Sequence, residues 1–498
     1  MDLTAVILFL VMYYIRPQEW SGVFAHIHFV QLVMIMALAS LLFRERSLKL
    51  GDLLKTPHDW MMLFFFGWVV LSSGTPWSMF WEVLPLAVFY IVIVQTLTTV
   101  PRMKVFVGWW TFLIVAIAAL AIASEYGFDP LNGYDVTHGK MKGRLILNLW
   151  IFNNPNALGH NVVPCIPMLY FFAIWKRPLV MKEVGVALMI IPLWCIYLTM
   201  SKGAFLVGAL IIVATLIYGR PKAAQLGILI VAVALGGTLL YKLPRMNELE
   251  KSKTDQAIQG RVAAFTHGLH LLENSIAGCG HGNWMNDFYR AHRYHKACHS
   301  SYVQIGGELG LPGFALFFAI LYCNLRTLIT AKTDNPDDER IRRTLSVLVF
   351  SYMASSWMVD FGFRPTFFMF SAAIAAFHRH LYGMIPAASE KEKANEIEPW
   401  RARLIPQPAL AGALAAAGAP AVAVMTLERA PIAPVVAGHP LAKFANGPIV
   451  RVPDTSTEPE QRMPRINRWT RLGLVDVIII SSMTFAAIKF WAMMIKRM

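Results

Sequence analysis

Apolar positions in this chain fall in long unbroken runs rather than in alternation, at roughly 3–15, 28–43, 58–73, 79–100, 105–125, 157–175, 184–200, 203–219, 224–241, 302–330, 344–361 and 366–383. A helix rises about 1.5 Å per residue and a bilayer core is about 30 Å thick, so such runs predict transmembrane helices. A further run near 472–493 lies beyond a long tail. The first run ends at Arg16-Pro17, opens on Met-Asp and has no small-residue cleavage site after it, so it reads as an uncleaved span. The expectation is an all-α polytopic membrane protein of about 12 transmembrane helices. A long loop separates the ninth and tenth, and an extra transmembrane helix ends the chain.

Basic residues set the orientation. With the N-terminus cytoplasmic, the short inner loops gather Arg44, Arg46, Lys49, Lys55, Arg102, Lys104, Lys176, Arg177, Lys182, Arg220, Lys222, Arg326, Lys332, Arg340, Arg342 and Arg343. The short outer loops then hold only Arg16, Lys140, Lys142, Arg144, Lys202 and Arg364. That bias follows the positive-inside rule and places segment 242–301 outside. Outer basic residues run against the bias, so each is either a headgroup or helix-end contact or part of a site for an anionic ligand. Three parts are expected: a membrane domain over 1–383, an Ala/Pro-rich disordered cytoplasmic linker over 384–470, and a transmembrane helix over 471–498.

Composition narrows the class. Hydrophobic residues are 56% and charged residues 15% of the 498, against about 25% charged in soluble domains. A typical cytosolic enzyme, a mainly disordered chain and a disulfide scaffold are excluded. The net charge of +15 is largely a topology signal. Its basic residues are dispersed among apolar runs, a poor match to nucleic acid.

The outer loop carries the densest polar chemistry. Val262, Phe265, Leu269 and Leu272 recur at helical spacing after Arg261, predicting an amphipathic helix. Gly278-Cys279-Gly280-His281-Gly282-Asn283-Trp284 follows. Its alternating glycines make a tight turn, which can also present N–H groups to an anion. His267, His270, His281, His292, His295 and His299 all lie in this loop. His292, His295 and His299 would share one face of a continuous helix and could then bind zinc, although no HExxH is present. The other reading makes one histidine at the entrance of a span a base, with basic neighbours holding phosphate.

Several blocks, in order, resemble the O-antigen ligase and O-antigen polymerase superfamily of polytopic membrane glycosyltransferases. Asn153-Asn154-Pro155-Asn156-Ala157-Leu158 is similar to its Asn-rich motif, and Thr199-Met200-Ser201-Lys202-Gly203-Ala204-Phe205 to its Ser-Arg-Gly segment. Gly260-Arg261 with the glycine turn resembles its outer-loop arginine and Gly-x-Gly-x-Gly-Asn-aromatic turn. His299-Ser300-Ser301-Tyr302 with Glu308-Leu309-Gly310-Leu311-Pro312-Gly313 resembles its His-Asn-x-Tyr and Glu-Leu-Gly-x-x-Gly signature. Two positions depart from the pattern: Lys202 replaces arginine, keeping charge without the bidentate fork, and Ser300 replaces asparagine. The blocks cover about 150–315, the span layout extends the likeness to about 383, and 384–498 lies outside it.

The resemblance implies a metal-independent, cofactor-free transfer of a glycan from undecaprenyl pyrophosphate to an acceptor hydroxyl. The expected setting is the periplasmic face of a bacterial inner membrane. The acceptor is the lipid A core of lipopolysaccharide, as in O-antigen ligases, or another glycan or a protein. A polysaccharide polymerase, then a protein O-oligosaccharyltransferase, then a lipid or glycan transporter are the alternatives. His299 would take the acceptor proton and Arg261 would stabilise the leaving pyrophosphate, with Lys202, Arg364 and Arg144 as further phosphate contacts. Gly280 and Gly282 would let backbone approach the donor. Cys279 and Cys298, both in an oxidising outer loop, are a candidate disulfide pair.

Overall fold

The computed structural model describes residues 2–42, 53–130, 143–149, 151–242, 256–383 and 469–497. Among them the chain is helical, without strands. Each apolar run of the sequence overlaps a helix, although the run at 344–361 outlasts its helix by six residues: α1 Asp2–Ile15, α2 Phe29–Leu42, α3 Pro57–Leu71, α4 Pro76–Thr96, α5 Val100–Glu125, α6 Pro155–Ile174, α7 Leu179–Leu198, α8 Lys202–Ile217 and α9 Lys222–Lys242. Beyond α10 Gln256–Asn274 and α11 Trp284–His292, both within the 242–301 segment, come α12 Ser301–Thr330, α13 Pro336–Ser355, α14 Pro365–Leu381 and α15 Leu474–Arg497. Six of these, α4, α5, α6, α7, α12 and α15, are long and apolar enough to cross a membrane by length and composition. At 14 residues each, α1 and α2 are shorter than the bilayer core.

Helix starts follow local chemistry. Thr56 and Asp59 form a reciprocal capping box on α3, and proline occupies the first turn of α3, α4, α6, α13 and α14, where its missing N–H costs nothing. Asn154, Ser201 and Ser300 cap α6, α8 and α12 through their side-chain oxygens.

The core centres on α12, against which α3, α10, α13, α14 and α15 pack. This helix breaks at Gly310, whose φ of 63° is open to glycine, and Pro312 cannot donate to the Glu308 carbonyl four residues back. The break is repaired from outside. Trp68 of α3 donates its indole N–H to the Leu309 carbonyl at 2.8 Å. The Cys279 and Gly280 N–H groups donate to the Gly307 and Glu308 carbonyls at 3.0 and 2.8 Å. Residues Met1–Ile385 and Arg468–Met498 form one compact unit, so α15 belongs to the same body as the helices before it. Of the expected 384–470 linker, residues 384–468 lie outside the described residues, as do 243–255.

Candidate active site

The capped starts of α6, α8 and α12 gather at one end of the bundle. Arg144 donates from Nε to the Thr199 carbonyl at 3.0 Å and from its guanidinium to Asn156 Oδ1 at 3.1 Å. Ser201 Oγ donates to the same Asn156 oxygen at 2.8 Å. The Asn-rich block and the Ser-Lys-Gly block, far apart in sequence, thus share one oxygen as their junction. Immediately beyond, Gly203 lies against Met358 and the Nε2 edge of His160, so close that a Cβ there would come within 3.0 Å of that nitrogen.

His299 stands at the head of α12 with a φ of 52°, a left-handed conformation that costs a non-glycine residue on the order of 1–3 kcal/mol. The two serines after it hold it there. Ser300 Oγ and the Ser301 N–H both donate to the Ser356 carbonyl, at 2.9 and 2.7 Å. Ser301 Oγ donates to the Val359 carbonyl and accepts from the Phe361 N–H, each at 2.8 Å. A single buried hydroxyl therefore brackets Asp360 from both sides, and Asp360 interacts electrostatically with His299. Arg261, from the first half of α10, donates to Met358 Sδ at 3.8 Å and also interacts with His299, as does Lys296.

The electrostatic balance suits a base. Burial is the largest influence on His299 and pushes its pKa below 6.5; Asp360 opposes this, and Arg261 and Lys296 add to it. The imidazole is thus neutral near pH 7, and a carboxylate stands ready to stabilise the imidazolium once a proton is taken. On the α6 side, buried His160 bonds Ser355 Oγ through Nδ1 at 3.0 Å, and its Nε2 has no hydrogen-bond partner among the described residues.

The structure brings Arg261 to His299 and sets Lys202 beside Gly203 at the start of α8, next to Met358. Arg364 precedes α14 and interacts with Tyr13 and Arg16 at the end of α1. Arg144 is engaged with Thr199 and Asn156 as described. Gly280, with a φ of 84°, approaches α12 rather than open space, and its N–H is occupied by Glu308. Gly282, with a φ of 75°, is exposed with no neighbour where a Cβ would stand. His281 bonds buried Glu308 at 3.1 Å and packs on Phe363, which ties the turn to the loop before α14.

Two expectations are corrected. The histidine triad does not share a helix face, because α11 ends at His292 and Arg293 turns left-handed at a φ of 64°. His292 packs on Phe288, His295 on Tyr289, and His299 belongs to the site above. Among the described residues no group of three or more His, Cys, Asp or Glu is placed to hold a metal ion. The Cys279–Cys298 pairing is not made either: both are free thiols. Cys279 is held by the bonds between its turn and α12, while Cys298 is buried one residue before His299.

Sequence reasoning missed Asp360, Lys296, Met358 and His160. Asp360 carried one signal, an acid at the outer end of a predicted span; the others carried none, since their roles depend on which helices meet. Beside the site, α7, α8 and α9 line an open apolar cleft of about 890 Å³. Its walls include Ile196, Phe205, Gly208, Ile212 and Ile228, with Phe205 one turn along α8 from Lys202.

No curated protein matches the chain. Residues 187–318 match the family model described as O-antigen ligase. The matched segment runs from α7 into the middle of α12 and takes in Lys202, Arg261, the glycine turn and His299. That segment is the one whose motif blocks resemble the O-antigen ligase superfamily, so the match and the resemblance agree over it.

Proposed function

We propose that this protein transfers a glycan from undecaprenyl pyrophosphate to an acceptor hydroxyl at the periplasmic face of a bacterial inner membrane, with the lipid A core as acceptor. The observation that carries the reading is a histidine held in a left-handed turn at the head of a span, with the charges of Asp360, Arg261 and Lys296 acting on it. His299 accepts the hydroxyl proton as the oxygen attacks the anomeric carbon, and Asp360 stabilises the resulting imidazolium. The bond from that carbon to the phosphate oxygen breaks, and the electron pair leaves with the pyrophosphate. Arg261 and Lys202 meet its developing charge, with Arg364 and Arg144 flanking; such charge-assisted contacts away from bulk water supply several kcal/mol. Side-chain cations in this role make a metal unnecessary. The apolar cleft beside Lys202 takes the isoprenoid tail from the bilayer.

Glycan transfer in membranes bearing His299→Ala tests the assignment. The expected loss is about 100- to 10,000-fold at normal expression; undiminished transfer removes the imidazole from the chemistry. The glycans of a deletion strain identify the acceptor. Loss of capped lipid A core supports a ligase. Single units retained without long chains would make it a polymerase, loss of glycoprotein would make it a protein glycosyltransferase, and export of unmodified lipid-linked glycan would make it a transporter.

A further inference from the structure

The C-terminal helix α15 lies outside both the matched segment and the twelve-run likeness, yet it is fastened to the site helices at both ends. At its start, Asp476 is buried and accepts from Tyr322 and Arg326 of α12, from the Trp469 indole at 3.2 Å and from the Gly473 N–H at 2.8 Å. Near its end, Trp491 is wholly buried while most of the helix around it faces outward. The Trp491 indole donates to the Phe265 carbonyl of α10 at 3.1 Å. Its ring occupies a slot made by two missing side chains: a Cβ on Gly306 of α12 would come 2.9 Å from it, and one on Gly268 of α10 3.0 Å.

The position of the slot gives it a consequence. Phe265 is one helical turn from Arg261 on the same face of α10, and Gly306 lies in the second turn of α12, whose capped start follows His299. A membrane-exposed helix needs neither a buried indole hydrogen bond nor facing glycines to remain in a bilayer, because helix association there rests on close packing and interhelical hydrogen bonds. Trp491 supplies both to the pair of helices that present the guanidinium and the imidazole.

We propose that Trp491 is a positioning residue: docked between α10 and α12, it sets the separation of Arg261 from His299, so the C-terminal helix controls transfer from outside the ligase domain. This rests on the glycan-transfer reading of the site. An ångström of misplacement can cost an enzyme on the order of 100-fold.

The test uses the full-length protein in proteoliposomes with a lipid-linked glycan donor, comparing Trp491→Ala, Trp491→Phe, Arg261→Gln and the Trp491→Ala/Arg261→Gln pair. Per folded molecule, Trp491→Ala is expected to lower transfer by roughly 10- to 100-fold. It should also move the acid limb of the pH profile to higher pH, because His299 is faced by Asp360, Arg261 and Lys296 and the retreat of Arg261 removes a cation that disfavours its protonation. Trp491→Phe keeps a ring in the slot without the indole donor, so it should fold and shift the limb less in the same direction. In the Arg261→Gln background Trp491→Ala should add little. A normal acid limb in both Trp491 variants, or full additivity with Arg261→Gln, overturns the proposal. If Arg261→Gln alone leaves transfer intact, the site reading fails first and separately.

Discussion

Ser301→Ala isolates the link between fold and chemistry. The Ser301 hydroxyl is fully buried and bridges the Val359 carbonyl and the Phe361 N–H at 2.8 Å each. Its removal strands a buried N–H, at about 1–3 kcal/mol. The same removal frees the chain on both sides of Asp360, whose charge raises the pKa of His299 against the stronger lowering by burial. As Asp360 drifts away, that pKa falls further. Protonation of the base then begins at lower pH, so the acid limb moves to lower pH even as the plateau declines. A loss of about 1.4–2.8 kcal/mol in transition-state stabilisation corresponds to a tenfold to hundredfold slower plateau. Ser300→Ala is the matched control. It deletes a helix cap and the bond to Ser356, costing about 0.5–2 kcal/mol, and leaves the bracket on Asp360 intact. The assay is glycan transfer across about pH 4.5 to 8 in proteoliposomes, roughly two units below and one and a half above the usual histidine value, with the thermal midpoint read in parallel. Equal losses of stability with an unmoved acid limb in Ser301→Ala would refute the coupling of Asp360 to His299.

The glycine turn gives a contrasting pair. Gly278→Ala and Gly282→Ala both meet a left-handed backbone, a cost of about 1–2 kcal/mol. Only the first places its methyl 2.4 Å from the Gly307 carbonyl, which drives the turn from α12 and strands carbonyls at about 1–3 kcal/mol each. The thermal midpoint of Gly278→Ala should therefore fall well below that of Gly282→Ala, and equal midpoints would show that the turn does not repair the helix break. Burial, aided by Glu308 and Asp287, pushes the Cys279 thiol up to about 12, and burial with Asp360 and Glu308 raises that of Cys298. Maleimide at pH 7 should thus label Cys279 slowly and Cys298 only after unfolding, with no effect of reductant; labelling that requires reductant would restore the disulfide.

The positions of the helices were readable from the amino-acid order alone, because apolar runs and capping residues are local properties. Asn154, Ser201 and Ser300 each supply the side-chain oxygen that starts a helix. A serine at position 300 in place of the family's asparagine keeps that function, since both are good caps. The candidate base was legible as an imidazole at the entrance of a predicted span, and the loop arginine from its motif block. The zinc alternative for the histidine triad required a continuous helix, and one left-handed residue at Arg293 ends it.

What those residues meet follows from how the helices pack. Asp360 faces His299 because Ser301, from another helix, brackets it; the glycine turn spends its N–H groups on the broken α12; and Trp491, from beyond the tail, fills a slot between α10 and α12. Helix formation depends on neighbours three or four residues away, which a sequence displays. The site depends on hydrogen bonds and charges joining residues from different helices, and no periodicity along the chain encodes those distances.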